Sequence, residues 1–113
     1  KAKETKEIAE AVKPFRDSVE YIVVSMGARG ALGFSQEGDY HVTPPKVKVR
    51  NSLGAGDSFM GGLVSVMSDS GSFREALRVG VACGTATVLA ASGGLCRKTD
   101  VDSIKKEVII EKF

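Results

Sequence analysis

The chain has 113 residues, 42% of them hydrophobic and only 6% aromatic, which suits one domain with an aliphatic core. Its 16 basic and 14 acidic residues give a net charge of +2 and are mixed along the chain, so we expect no nucleic-acid partner. No apolar run approaches the ~20 residues that span a bilayer, and the two cysteines have no metal or redox spacing; we expect a cytoplasmic protein without a membrane partner or a metal-ligating cluster.

A helix and a strand are the first predicted elements. Residues 3–17 are charged, with a sparse apolar stripe made of Ile8, Ala11, Val12 and Phe15. This pattern predicts an amphipathic helix, which Pro14 ends or kinks. Residues 20–26 form a β-branched run without alternation, which is typical of a strand covered on both faces. A glycine turn follows at residues 27–31.

A hairpin is predicted next, with its turn at residues 36–39. The predicted strands are residues 32–35 and 40–42. His41, the only histidine, is expected to be a solvated strand residue, which leaves no means to build a catalytic triad or a zinc site. After two prolines, valine alternates with basic residues over positions 46–50, which predicts a half-exposed strand. Its basic side chains face solvent, or Lys48 or Arg50 contacts a phosphate.

The strongest signal is the junction of a glycine turn and a helix at residues 54–57. Beyond it, apolar residues recur at helical spacing: Met60, Leu63, Val64 and Met67. Gly54 and Gly56 free the backbone before the helix, so several N–H groups and the helix dipole converge on one point. That point is an anion hole suited to a phosphoryl group. Asp57 would accept a proton from an attacking hydroxyl or help to hold Mg²⁺; the simpler alternative is that it N-caps the helix.

The last part of the chain is predicted to be mostly helical. After a turn at residues 68–71, Ser72 and Glu75 form a capping box for a helix that runs to about residue 91. Its predicted buried face consists of Phe73, Leu77, Val81, Gly84 and Val88. A loop at residues 92–96, a short helix capped by Asp100 and a terminal strand at residues 108–110 complete the chain.

Residues 51–62 resemble the C-terminal signature of the ribokinase-like carbohydrate kinases, the phosphofructokinase B family. The usual Asp-Thr-x-Gly-Ala-Gly-Asp-x-Phe is matched at residues 54–57 and Phe59, while Asn and Ser replace Asp and Thr at positions 51 and 52. This form, with Ser58, is similar to the sugar-phosphate branch, the 1-phosphofructokinases and tagatose-6-phosphate kinases. Residues 25–30 fit the family's Ser/Thr-x-Gly-x-x-Gly nucleotide turn, and residues 82–87 resemble the helix that borders its adenine pocket.

The resemblance implies an α/β structure, the C-terminal nucleotide-binding portion of an α/β/α layered fold. It also implies transfer of the ATP γ-phosphoryl group to a sugar-phosphate hydroxyl, with Mg²⁺. Asp57 would be the catalytic base, and the amides of Gly54, Ala55, Gly56 and Asp57 would stabilise the transferring group. The implied nucleotide contacts are Ser25, Met26, Gly27, Ala28, Arg29, Gly30, Gly56, Asp57, Cys83 and Thr87.

Further expectations concern the intact protein. We expect this chain to be the C-terminal part of a larger kinase, inactive by itself because the sugar-binding part is absent, and a homodimer when intact. The loop at residues 92–96 and the chain before Gly54 would offer carbonyls to a monovalent cation, although Asn51 removes one charged ligand. The alternatives are a kinase for an unphosphorylated sugar or nucleoside, a non-catalytic nucleotide-binding module, and a structural α/β domain.

Overall fold

A four-stranded antiparallel sheet with helices on both faces forms the described part of the molecule. The computed structural model describes residues 2–48, 54–89 and 98–113. In chain order the elements are α1 (Ala2–Val12), β1 (Ile22–Ser25), β2 (Ala31–Ser35), β3 (Gly38–Thr43), α2 (Ala55–Ser68), α3 (Phe73–Leu89), α4 (Lys98–Lys105) and β4 (Ile109–Lys112). Within these ranges, none of the helices combines the length and apolarity that crossing a membrane requires.

The strands lie in the order β1-β2-β3-β4, each antiparallel to its neighbour. The predicted hairpin is present, but its loop is only Gln36 and Glu37, because Gly38 pairs with Ser35 and Asp39 with Phe34. Strand β3 therefore begins at Gly38, two residues before the predicted strand at residues 40–42. Gly38 permits this tight reversal, since its φ of +146° is rarely adopted by other residues.

Alternate side chains of the strands enter two separate cores. Leu32 and Phe34 of β2 face α1 and pack with Val12. Ala31 of β2 and Val42 of β3 join the larger core that α3 covers. Helix–sheet–helix layering of this kind is the predicted α/β/α arrangement, and it explains why β1 reads as apolar on both faces. The apolar side chains of β1 are only half-buried, because β1 lies at the edge of this sheet.

Helix α1 is shorter than the predicted helix at residues 3–17. It ends at Val12, and a 3₁₀ turn at Lys13–Phe15 follows, with Pro14 in its first positions. Proline cannot donate the next helical hydrogen bond, so Pro14 ends the helix as predicted. Phe15 was assigned to the buried stripe, but it lies beyond α1 and is 60% exposed.

Helix α2 confirms the predicted helix but corrects the face that it buries. Phe59, Leu63 and Met67 pack against the core. Met60 and Val64, which were predicted to share the buried stripe, are 52% and 48% exposed. Because α2 is apolar around much of its circumference, hydrophobic spacing alone did not determine which side meets α3.

Helices α2 and α3 approach closely where both carry glycine. A Cβ placed on Gly62 would lie 2.8 Å from the Cys83 Sγ, and one on Gly80 would lie 3.0 Å from the Phe59 carbonyl oxygen. Gly84 is similarly close to α2. Glycines on both helices therefore allow their close approach.

The helix caps are confirmed in part. The Ser72 hydroxyl accepts a hydrogen bond from the Glu75 N–H at 3.1 Å, as predicted for an N-cap. The Glu75 carboxylate pairs with Lys105 at 3.3 Å and lies 3.7 Å from Arg78. The contacts of Glu75 are therefore ion pairs and not the return bond of a capping box. Asp100 lies in the first turn of α4, which begins at Lys98, and is therefore not the predicted cap.

Candidate functional site

One cavity brings together the two predicted glycine motifs. Its volume is about 550 Å³, within the range of about 300–1,000 Å³ that is usual for small-molecule sites. Four segments form its walls: the turn after β1, residues 44–47, the first turn of α2 and one face of α3. The two motifs are more than 20 residues apart in sequence, so the fold rather than local structure creates the site.

The first turn of α2 has the geometry expected of an anion hole. Gly54 is the N-cap, with a left-handed φ of +82°, and its carbonyl accepts the Ser58 N–H at 2.9 Å. The N–H groups that precede this bond have no carbonyl partner within the helix. Ala55 and Gly56 line the cavity, and a Cβ placed on Gly56 would meet no described atom within 4 Å. The start of α2 therefore presents backbone donors beside open space.

Asp57 is exposed in the first turn of α2, directly after the two residues that line the cavity. The hypothesis that Asp57 N-caps the helix is wrong, because Gly54 occupies that position. A carboxylate here still stabilises the helix through the dipole, typically by about 0.3–1 kcal/mol. Asp57 is not among the residues that line the cavity, but it directly follows the lining residue Gly56 and its side chain is exposed.

The turn at residues 25–30 contributes four of its six predicted residues to the cavity. The lining residues are Ser25, Gly27, Ala28 and Gly30. The Met26 N–H bonds to the Gly30 carbonyl at 2.7 Å, which closes the turn around the 3₁₀ segment Gly27–Arg29. The Met26 side chain packs with the core beneath α1 and does not line the cavity.

Arg29, the other residue predicted to contact the nucleotide, points toward α1. Its guanidinium forms an ion pair with Glu4 and is not part of the cavity wall. The Arg29 carbonyl oxygen lies 3.1 Å from His41 Nε2, which donates the hydrogen bond when that nitrogen carries the proton. His41 was expected to be simply solvated; instead it supports the turn from β3. No local signal in the sequence links these two residues.

Gly30→Ala is expected to destabilise the protein more than Gly27→Ala. Both glycines have positive φ, +89° at Gly30 and +60° at Gly27, and Gly30 combines it with a ψ of −134°, a region that residues with a side chain rarely adopt. A Cβ on Gly30 would also lie 1.8 Å from the Val42 carbonyl oxygen, whereas one on Gly27 would meet nothing within 4 Å. Denaturant unfolding of both variants measures the difference, which we expect to be at least about 1 kcal/mol. Equal losses would contradict the described packing of this turn.

The cavity wall on α3 differs from the predicted one. Val81, Gly84, Thr85 and Val88 line the cavity. Cys83 and Thr87, which were predicted to approach adenine, do not; Cys83 packs on Gly62, and Thr87 bonds to Ser58. Adjacent helical positions point about 100° apart, so a motif can identify the helix without identifying the face.

Residues 44–47 form the remaining wall and not the predicted strand. Residues 44–48 lie in no strand, and Val47 lines the cavity together with Lys46. Pro44 and Pro45 lack N–H groups and cannot extend the ladder, which explains why β3 ends at Thr43. The predicted continuation at positions 49–50, Asn51, Ser52 and the loop at 92–96 lie outside the described residues.

A second cavity of about 470 Å³ lies at the other end of β1, near Arg16 and Gln36. Arg16 is the cationic residue among those that line this cavity. The Arg16 guanidinium, however, donates two hydrogen bonds of 2.9 Å to the Asp39 carboxylate. These bonds raise the pKa of Arg16 above its ordinary value. Because this charge is already paired and neither glycine motif reaches the cavity, we assign the functional site to the first one.

Comparison with known proteins agrees with the motifs. A family model described as pfkB family carbohydrate kinase matches residues 1–100. Over 83 residues the chain is 40% identical to ATP-dependent 6-phosphofructokinase isozyme 2 of Escherichia coli K12, covering 74% of this chain and 27% of that protein. Over 114 aligned positions it is 30% identical to 1-phosphofructokinase of the same strain, covering 100% of this chain and 36% of that protein.

A solved structure confirms the fold. Phosphofructokinase-2 from Escherichia coli, in complex with potassium, superposes with a TM-score of 0.83 at 34% identity, over 88% of this chain and 33% of that one. The chain spans about a third of the length of these relatives. The matched family model, the sequence identities and the shared fold together show that this chain belongs to the pfkB family of ribokinase-like carbohydrate kinases.

Proposed function

We propose that this chain supplies the nucleotide site and the phosphoryl-transfer residues of an ATP-dependent sugar-phosphate kinase. The observation that carries the proposal is the cavity shared by the glycine turn after β1 and the first turn of α2. One wall offers backbone donors at a helix start, and the other offers Gly27, which leaves open space for close approach of a ligand. The names of the relatives, ATP-dependent 6-phosphofructokinase and 1-phosphofructokinase, support the substrate class.

The chemistry of the cavity walls suits a purine nucleotide. Phe59, Val81 and Val88 give it an apolar side for the base. The Thr85 hydroxyl already donates to the Val81 carbonyl at 2.8 Å, so toward a ligand it acts as an acceptor. The phosphates would lie toward the start of α2, where the first N–H groups have no carbonyl partner within the helix. We therefore assign the contacts to the base to Phe59, Val81 and Val88, in place of Cys83 and Thr87.

In the proposed reaction, Asp57 accepts the proton of the sugar hydroxyl. The hydroxyl oxygen bonds to the γ-phosphorus, and the bond between the γ-phosphorus and the β-phosphate oxygen breaks, which releases ADP. The N–H groups at the start of α2 stabilise the charge on the transferring group, and donors of this kind are worth about 3 kcal/mol each. Mg²⁺ would be held mainly by the substrate phosphates and water, with Asp57 as the nearby carboxylate, because this ion usually takes one or two carboxylates together with phosphates. A monovalent cation, as in the potassium complex of the relative, would be held by segments outside the described residues.

Substrate-dependent ADP release by the intact protein tests the proposal. The assay uses ATP and Mg²⁺ with fructose 1-phosphate, fructose 6-phosphate and tagatose 6-phosphate, beside unphosphorylated fructose and a nucleoside. We expect turnover with at least one sugar phosphate and loss of that turnover in Asp57→Asn. Turnover only with fructose or the nucleoside would show that the acceptor is not a sugar phosphate, and that part of the proposal would be wrong. If the protein binds no ATP, the kinase function is wrong and a structural role remains.

A further inference from the structure

Two buried hydroxyls join the start of α2 to α3. Thr87 and Ser58 are 1% and 8% exposed, and their oxygens lie 2.7 Å apart. Thr87 Oγ1 also lies 3.0 Å from the Cys83 carbonyl oxygen. A hydroxyl has a single hydrogen, so both contacts are satisfied when Ser58 donates to Thr87 and Thr87 donates to the Cys83 carbonyl. The pair therefore forms a directed link between the two helices.

This link ends at the proposed anion hole. The Ser58 N–H makes the hydrogen bond to the Gly54 carbonyl, so the hydroxyl pair holds the residue that closes the turn at positions 54–57. The methyl of Thr87 lies on the same side as this turn, since a Cβ placed on Gly54 would lie 4.0 Å from Thr87 Cγ2. Thr87 does not line the cavity, so any effect that it has on the reaction must be exerted through the turn.

The surrounding interface gives a reason for such a link. Where α2 meets α3, side chains pack against glycines: Cys83 lies on Gly62, and Phe59 lies on Gly80, and such contacts have no fixed direction. A hydrogen bond between fixed positions supplies the directional constraint that these contacts lack. Donors of a phosphoryl site require accurate placement, since a misplacement of about 1 Å can reduce a rate about 100-fold.

We propose that Thr87 is a positioning residue that acts through Ser58 to hold the backbone donors at the start of α2 in register with the bound nucleotide. The proposal rests on the proposed kinase function. It assigns to Thr87 a role different from the adenine contact that the sequence motif indicated.

The test is a double-mutant cycle in the intact enzyme, with Thr87→Val, Ser58→Ala and the double variant. Thr87→Val keeps the shape of the side chain, and we expect kcat to fall by about 10- to 100-fold with a smaller change in ATP affinity. Each single variant should also lower the melting temperature, and Thr87→Val more than Ser58→Ala: Thr87→Val removes the acceptor of the buried Ser58 hydroxyl, whereas in Ser58→Ala Thr87 still donates to the Cys83 carbonyl. The double variant should recover much of that loss, since removing both partners of a buried hydrogen bond is nearly neutral. Its kcat should stay low.

A Thr87→Ser variant keeps the hydroxyl and serves as the conservative control; we expect its kcat to lie within about 3-fold of the parent. A purely structural role predicts instead that kcat recovers together with the melting temperature in the double variant. That result, or a Thr87→Val enzyme with parental kcat, would overturn the proposal. A parent protein without kinase activity would instead refute the proposed function on which the inference rests.

Discussion

Asp57→Asn is expected to lower kcat of the intact enzyme at least about 100-fold, the lower end for a positioned general base. The amide has nearly the shape of the carboxylate but cannot accept the proton of the sugar hydroxyl. Because Asp57 is exposed and the N-cap is Gly54, the fold should tolerate the change, with a helix-dipole loss of no more than about 1 kcal/mol. Steady-state kinetics and ATP titration of the purified variant measure the two effects separately.

Asp69→Asn is the matched control for this prediction. Asp69 is also exposed and adjoins the same helix, but at its C-terminal end, away from the cavity. We expect its turnover to stay near that of the parent. If Asp57→Asn also turned over at a near-parental rate, Asp57 could not be the base, and the family motif would have to act through another residue.

Gly56→Val should weaken ATP binding about 5- to 150-fold, corresponding to about 1–3 kcal/mol of overpacking against the bound ligand. Gly56 lines the cavity, and a Cβ placed on it would meet no described atom within 4 Å. The valine side chain would therefore extend into the space in which we expect the ligand. The residue lies within α2 and does not have the positive φ of Gly54, which means that the helix should accept valine. The helix propensity of valine is at least as favourable as that of glycine, so the melting temperature should change little.

Gly61→Val separates the effect on the ligand from the effect on the helix. Gly61 lies in the same helix, is exposed, and offers equally open space for a Cβ, but it does not line the cavity. We expect parental ATP affinity in this variant and a melting temperature like that of Gly56→Val. If the two variants bound ATP equally well, the space above Gly56 would not be the phosphate site.

Local features of the fold could be predicted from the sequence where backbone chemistry dictates them. The left-handed turn at Gly54 and the end of α1 near Pro14 follow from what glycine permits and proline forbids. The capping contact of Ser72 with the Glu75 N–H is equally local. Each of these depends on residues within a few positions, so sequence spacing carries the whole signal.

Orientation and distant contacts could not be predicted in the same way. The exposed side of α2 carries Met60 and Val64, because an apolar helix can present several faces to its neighbour. The assignment of Cys83 to the base pocket identified the right helix but a neighbouring face. The hydrogen bond between Ser58 and Thr87 joins residues 29 positions apart, and only the packing of α2 on α3 creates it.

A crystal structure of the intact protein with a non-hydrolysable ATP analogue would show where the phosphates and the base bind. We expect phosphate oxygens within about 2.7–3.2 Å of backbone nitrogens at residues 54–57, the hydrogen-bonding range, with the base beside Val81 and Val88. An analogue bound in the cavity near Arg16 and Gln36, or with its phosphates remote from the start of α2, would contradict this expectation.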